Sequence, residues 1–130
     1  MSEKFNLEII SPDQTLIKTE TSQVVIPAFE GVMTILKDHI SLVTFLRPGF
    51  IFAETLNGKK EFYVEEGTVE FSKNNLLILS STAKNKKDIS SEKANKMLEE
   101  AKKLITKNDL KDKDKYVISY KIEALKQINQ

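Results

Sequence analysis

Short apolar runs separated by turn residues fill the first part of the chain: Phe5 to Ile10, Leu16-Ile17, Val24 to Ile26, Val32 to Leu36, Leu42 to Leu46, Phe50 to Thr55, Phe62 to Val64, Thr68 to Phe71 and Leu76 to Leu79. Many short strands at this spacing predict an all-β sandwich or barrel. Phe5, Leu7 and Ile9 keep a period of two, as do Phe50 and Phe52, so each set points to one face of its strand. Asn57-Gly58 predicts a two-residue type I′ turn that pairs Phe50 to Thr55 with Lys60 to Val64.

The period changes after Lys84. Ala94, Met97, Leu98, Ala101, Leu104 and Ile105 fall on one stripe of a helix, with Asp88 or Ser90 as its cap and an end near Lys107. Asn108 to Asp114 reads as a polar connector. Val117, Ile118, Ile122, Leu125 and Ile128 then form a second stripe, capped by Asp112 or Asp114. Helices of this length need their stripes buried to persist, so the two are expected to form an antiparallel hairpin. The predicted fold is β plus α: an antiparallel β-sandwich over residues 1–84, followed by a two-helix hairpin over residues 85–130.

Composition narrows the function more than the fold. With 130 residues, 40% hydrophobic and 30% charged, the chain suits one soluble, folded core. It has no run of about 20 apolar residues that could span a bilayer, and its opening lacks the apolar stretch of a signal peptide, so export is not expected. The formal net charge is +1, with the acidic excess before Lys84 and the basic excess after it. That imbalance is too small for the dense basic stripe that phosphate neutralisation requires, so nucleic acid is not an expected partner. The absence of cysteine removes thiolate nucleophiles, disulfides and thiolate metal sites.

Little reactive chemistry is visible. His39 is the one histidine and falls in a loop, which argues against a metal or acid–base centre. Glu65-Glu66 are strand neighbours that point to opposite faces and cannot share a substrate. Ser80-Ser81-Thr82 lacks a nucleophile elbow, and the four glycines form no phosphate loop. The phenylalanines read as core in preference to base-stacking platforms. The expected function is protein binding, without catalysis.

Several blocks, in order along the whole chain, resemble the epsilon subunit of bacterial F-type ATP synthases, the counterpart of the mitochondrial delta subunit. Phe5-Asn6-Leu7-Glu8-Ile9-Ile10-Ser11-Pro12 is similar to the family's first strand and turn. Glu30, Gly31, Leu36, His39, Leu42 and Thr44 keep positions of its Glu-Gly-x-x-Gly-x-Leu-Pro-Gly-His-Ala-Pro-Leu-Leu-Thr block, and Leu46-Arg47-Pro48-Gly49 resembles Leu-Lys-Pro-Gly. Gly67 to Phe71 and Leu79 to Ala83 resemble two further blocks. Thr34 to Ser41 departs from the family by losing two glycines and two prolines, although Asp38 tolerates a left-handed turn. The ATP-sensing motif of some members is degenerate here: Ile89, Ser90, Lys93 and Ala94 stand where Ile or Leu, Asp, Arg and Ala would.

The resemblance implies a non-catalytic subunit of the rotor stalk, peripheral on the cytoplasmic face of the bacterial inner membrane. It would couple proton-driven rotation to ATP synthesis. Glu30, Gly31 and Val32 would face the ring of c subunits, and His39, Ser41 and Leu42 the gamma subunit. The hairpin would be a mobile inhibitor of ATP hydrolysis, reaching the alpha and beta subunits when extended, with Lys113, Lys115, Lys121 and Lys126 as contacts. No cofactor or metal is implied, and ATP binding is expected to be weak or absent because Ser90 is no carboxylate and Lys93 has no bidentate fork.

Overall fold

A computed structural model describes residues 3–128. Its strands are β1 (Phe5–Ile10), β2 (Thr15–Ala28), β3 (Gly31–Ile35), β4 (Leu42–Leu46), β5 (Gly49–Thr55), β6 (Gly58–Val64), β7 (Gly67–Ser72), β8 (Asn75–Leu79) and β9 (Lys84–Asn85). A single 3₁₀ turn over Lys86–Asp88 leads to α1 (Ser91–Ile105) and α2 (Asp112–Ile128). The strands run in the order β1-β8-β7-β4-β2-β5-β6-β9, with β3 beside β2 and β1 also paired to β2. All pairs are antiparallel except β1 and β8, which are parallel; the long intervening chain gives the latter room for the crossover that a parallel pair needs.

The 14-residue β2 links the two layers. Its first half pairs with β1 and its second with β3 and β5, with a register shift between Thr21 and Gln23 where the strand changes partners. The sequence divides this strand into two apolar pieces because Lys18 to Gln23 is polar. Pairing on both sides carries the strand through, and the buried Thr21 hydroxyl is satisfied by donating to the Glu54 carbonyl at 2.6 Å.

Between the layers lies one apolar core. Phe5, Leu7 and Ile9 of β1 meet Val24 and Ile26 of β2, Ile51 and Ala53 of β5, Val69 and Phe71 of β7, and Leu76 and Ile78 of β8. The period of two in β1 and β5 is realised, and in β5 it leaves Phe50 and Phe52 on the outer face. Gly67 is fixed by close approach: a Cβ there would lie 2.7 Å from the Leu79 carbonyl oxygen.

One turn differs from the sequence expectation, and another has the geometry expected of the first. The β5–β6 pairing is as predicted, but Thr55 pairs with Gly58, leaving Leu56 and Asn57 as the turn, and only Gly58 has positive φ. That is not type I′. The turn with two positive φ angles lies between β7 and β8, where Lys73 (50°) and Asn74 (60°) take the left-handed conformation that asparagine tolerates.

The hairpin packs outside the sandwich over a second, smaller core. Ile89, Ala94, Leu98, Ala124 and Leu125 cover Phe50 and Tyr63, which face each other across β5 and β6 with ring centroids 5.9 Å apart. Ser90 caps α1 by accepting from the Lys93 N–H at 3.1 Å. Neither aspartate caps α2. The first helical bond runs from the Lys115 N–H to the Lys111 carbonyl, which places Asp112 and Asp114 in the first turn, where their charge complements the helix dipole.

Candidate functional site

Three surfaces gather the residues singled out from the sequence. The first is the Phe29-Glu30 turn between β2 and β3. The Glu30 carboxylate accepts from the Thr44 hydroxyl, with Oε2 at 2.9 Å and Oε1 at 3.2 Å, so the acidic group is held in place although it stays in solvent. Gly31 has φ 143° with open space around its Cα, so glycine is required by backbone conformation and not by crowding. Val32 is 68% exposed. The three residues form a projecting, well-supported tip.

The second surface is the loop before β4 and the outer face of β4, β7 and β8. Asp38 takes φ 65°, and its backbone N–H donates to the Asn74 side-chain oxygen at 2.7 Å while Asn74 Nδ2 donates back to the Asp38 carboxylate at 2.9 Å. These reciprocal bonds fix the loop without the family's glycines and prolines. His39 is half-buried, with its Nδ1 2.8 Å from the Ile40 carbonyl oxygen and its ring edge-on to Phe71. These contacts make it part of the loop's own packing. Ser41 is exposed and Leu42 packs half-buried against the main core.

Beside them lies a patch absent from the sequence reading. Val43 and Phe45 point outward from β4, 71% and 58% exposed. Register sets Phe45 beside Thr68 and Leu79, and Val43 beside Glu70 and Leu77. Phe45 therefore departs from the expectation that the phenylalanines are core. The available signal was β4 itself, Leu42-Val43-Thr44-Phe45-Leu46, which is apolar on both faces and so leaves one apolar face outside any single core.

The third surface is the seat of the hairpin. Ile89 and Ala94 of the degenerate motif are core residues, and the Ser90 hydroxyl is committed to capping. The Lys93 side chain alongside, followed by partial desolvation, holds Lys84 below the usual lysine range, while Glu65 pulls it the other way. Burial, then the neighbouring Glu65 carboxylate, pushes the Tyr63 phenol far up, and Tyr63 donates to Glu65 at 2.9 Å. Lys121 closes an ion pair with the same carboxylate at 3.3 Å. Lys113 lies 5.9 Å from the centre of the Phe29 ring, whereas Lys115 and Lys126 are exposed. The four lysines are thus not brought together.

Two tyrosines that the apolar stripe passed over make the most direct contacts with the sandwich. The Tyr116 hydroxyl donates to the Phe29 carbonyl at 2.6 Å, and its ring stacks on Phe29 at 5.2 Å. The Tyr120 ring sits 3.7 Å below the Arg47 guanidinium. Among the described residues, no cluster of three or more metal-ligating side chains occurs, and no helix is long and apolar enough to cross a membrane.

Residues 4–86 match the family described as ATP synthase, Delta/Epsilon chain, beta-sandwich domain. The ATP synthase epsilon chain of Pelagibacter ubique (strain HTCC1062) is 44% identical over 130 residues, covering 99% of this chain and 100% of that one. The ATP synthase epsilon chain of Endomicrobium trichonymphae is 34% identical over 122 residues, covering 93% and 84%. In fold, the chain is similar to one in the cryo-EM structure of the Euglena gracilis mitochondrial ATP synthase, with a TM-score of 0.79, 22% identity, and 98% and 82% of the two chains covered.

Proposed function

The chain belongs to the ATP synthase delta/epsilon family, and on that premise we propose that it is a non-catalytic central-stalk subunit. In this reading it couples proton-driven rotation of the c ring to ATP synthesis and restrains ATP hydrolysis through its hairpin. The observation that carries this is the full-length likeness to an ATP synthase epsilon chain, which spans sandwich and hairpin alike.

The surfaces take roles accordingly. The tip formed by Glu30, Gly31 and Val32 faces the polar loops of the c ring, where a fixed carboxylate and an exposed Val32 suit a small polar contact. His39, Ser41 and Leu42, with the neighbouring Val43 and Phe45, face the gamma subunit, because an exposed apolar sheet face of this kind suits a surface that another chain covers. The close-packed sandwich transmits torque with little deformation. Lys113, Lys115, Lys121 and Lys126 meet the alpha and beta subunits once the hairpin leaves its seat, a step that first breaks the Lys121–Glu65 pair. ATP binds weakly or not at all, since Ser90 is occupied as a cap and Lys93 offers a single ammonium. Association with the bacterial inner membrane is indirect, through the c ring on its cytoplasmic face.

A chain ending at Ile89 tests this reading in the assembled complex. It should still co-purify with alpha, beta and gamma subunits and support coupling, while hydrolysis rises. Loss of assembly, or unchanged hydrolysis, contradicts the assignment of roles.

A further inference from the structure

Arg47 is only 8% exposed, yet it has no counter-charge: the ion pairs among the described residues are Lys59–Glu54, Lys86–Glu61 and Lys121–Glu65. Its Nη1 donates to the Pro48 carbonyl at 2.9 Å, and its Nε meets no acceptor among the described residues. A buried cation normally requires a carboxylate, because desolvation removes the water that stabilised it. Here the face of Tyr120, 3.7 Å away, takes that place. One turn earlier on the same face of α2, Tyr116 packs edge-on against Tyr120 at 4.9 Å and bonds the carbonyl of Phe29, the residue preceding Glu30.

We infer that Tyr116 and Tyr120 form a release latch, in which Tyr120 screens the buried charge of Arg47 and Tyr116 ties the departure of α2 to the conformation of the Phe29-Glu30 turn. The latch is self-limiting. While α2 is seated, Arg47 is held out of water with one donor unpaired; when α2 leaves, the guanidinium regains solvent, which offsets part of the penalty for exposing Phe50 and Tyr63. The seat is therefore poised between two states and not locked. Because Tyr116 holds the turn only in the seated state, any contact that reshapes the turn shifts the seating equilibrium, and seating reciprocally shapes the turn. This deepens the proposed regulation, but the latch itself is a property of the isolated chain.

Amide exchange of the full-length chain, read at Leu125 for the seat, Gly31 for the turn and Val69 as a folding control, tests the latch. Tyr120→Leu strips the screen from a buried cation and should speed exchange at Leu125 by roughly 3- to 30-fold, the range of cation–π strengths between exposed and desolvated sites. Tyr120→Phe keeps the ring and should stay within about threefold of the parent. Adding Arg47→Leu to Tyr120→Leu should slow exchange again, since removing the cation removes the penalty. Tyr116→Phe should speed exchange at both Leu125 and Gly31. A Tyr120→Leu chain with unchanged exchange at Leu125, or a double variant looser than the single one, overturns the screening role. A Gly31 amide indifferent to Tyr116→Phe overturns the link to the turn. Hydrolysis by complexes carrying the same variants bears separately on the regulatory role: a loosened hairpin with unaltered hydrolysis leaves the latch standing and removes that role.

Discussion

The two apolar cores of the molecule differ in kind. The core between the sheets is drawn from eight strands, contains only aliphatic and phenylalanine side chains with two alanine positions in β2 and β5 and one at Ala83, and is closed by backbone hydrogen bonds on its edges. The core beneath the hairpin is smaller and includes Tyr63 and two alanines of the helices, and its border carries a tyrosine–arginine contact, a tyrosine hydroxyl bond and one ion pair. A smaller core with a polar border is expected to open at lower free energy than the sheets beneath it, whose interleaved strands cannot part singly. The contrast sets a part interleaved across eight strands against a part held by one smaller cluster and its polar border.

Paired truncations probe that contrast most strongly. Leu7 and Leu125 are 1% and 0% exposed, one in each core. Leu7→Ala should lower the stability of the whole chain by about 2–5 kcal/mol in denaturant unfolding. Leu125→Ala should cost a similar amount but only for the hairpin, seen as faster proteolysis of α2 with the sandwich transition unmoved. A shared loss in both variants would mean that the cores are one cooperative unit. Ser90→Ala removes the α1 cap and should weaken the hairpin by about 1 kcal/mol, read from helix ellipticity on heating. Phe45→Lys, on the exposed face of β4, should change the stability of the free chain by less than about 0.5 kcal/mol while reducing its capture by gamma subunit.

Alkaline pH acts with opposite signs through Lys84 and Tyr63. The pKa of Lys84 in the folded chain lies below the ordinary 10.5, mainly through Lys93, so the unfolded chain holds the proton more tightly and stability rises as pH climbs toward that value. Tyr63 is raised above its ordinary 10.0, so beyond that pH the unfolded chain loses a proton that the folded chain retains, and stability falls. Lys84 is largely exposed, and solvent screening keeps its part small. In Lys93→Gln the rise should flatten and the fall remain, which thermal melts across the alkaline range would record.

How much of this could be read from the sequence depended on whether a residue's role was set by periodicity or by a distant neighbour. Strand positions with alternating apolar residues, as in β1, and helical stripes such as Ala94, Leu98 and Ala101 declare their faces locally, and they lie in the cores as expected. The polar middle of β2 did not, because its strand geometry comes from partners on both sides. Nor did the Asn57 turn, where local preference for type I′ yields to the register of β5 and β6. Tyr116 and Tyr120 fell outside the apolar stripe, since their value lies in a carbonyl and a guanidinium many residues away. Of the surfaces, the Glu30 tip and the Asp38 loop had sequence signatures in glycine and turn residues, whereas the exposed Val43 and Phe45 required knowledge of which face of β4 the core had taken.

The central claim, a rigid sandwich carrying a separately detachable hairpin, is tested most directly by native-state hydrogen exchange of the intact chain in rising sub-denaturing urea. The amides of Leu98 and Leu125 should exchange together through an opening of lower free energy and smaller urea dependence than those of Ile51 and Val69. If all four instead merge into one opening with the urea dependence of complete unfolding, the hairpin does not detach on its own and the account fails.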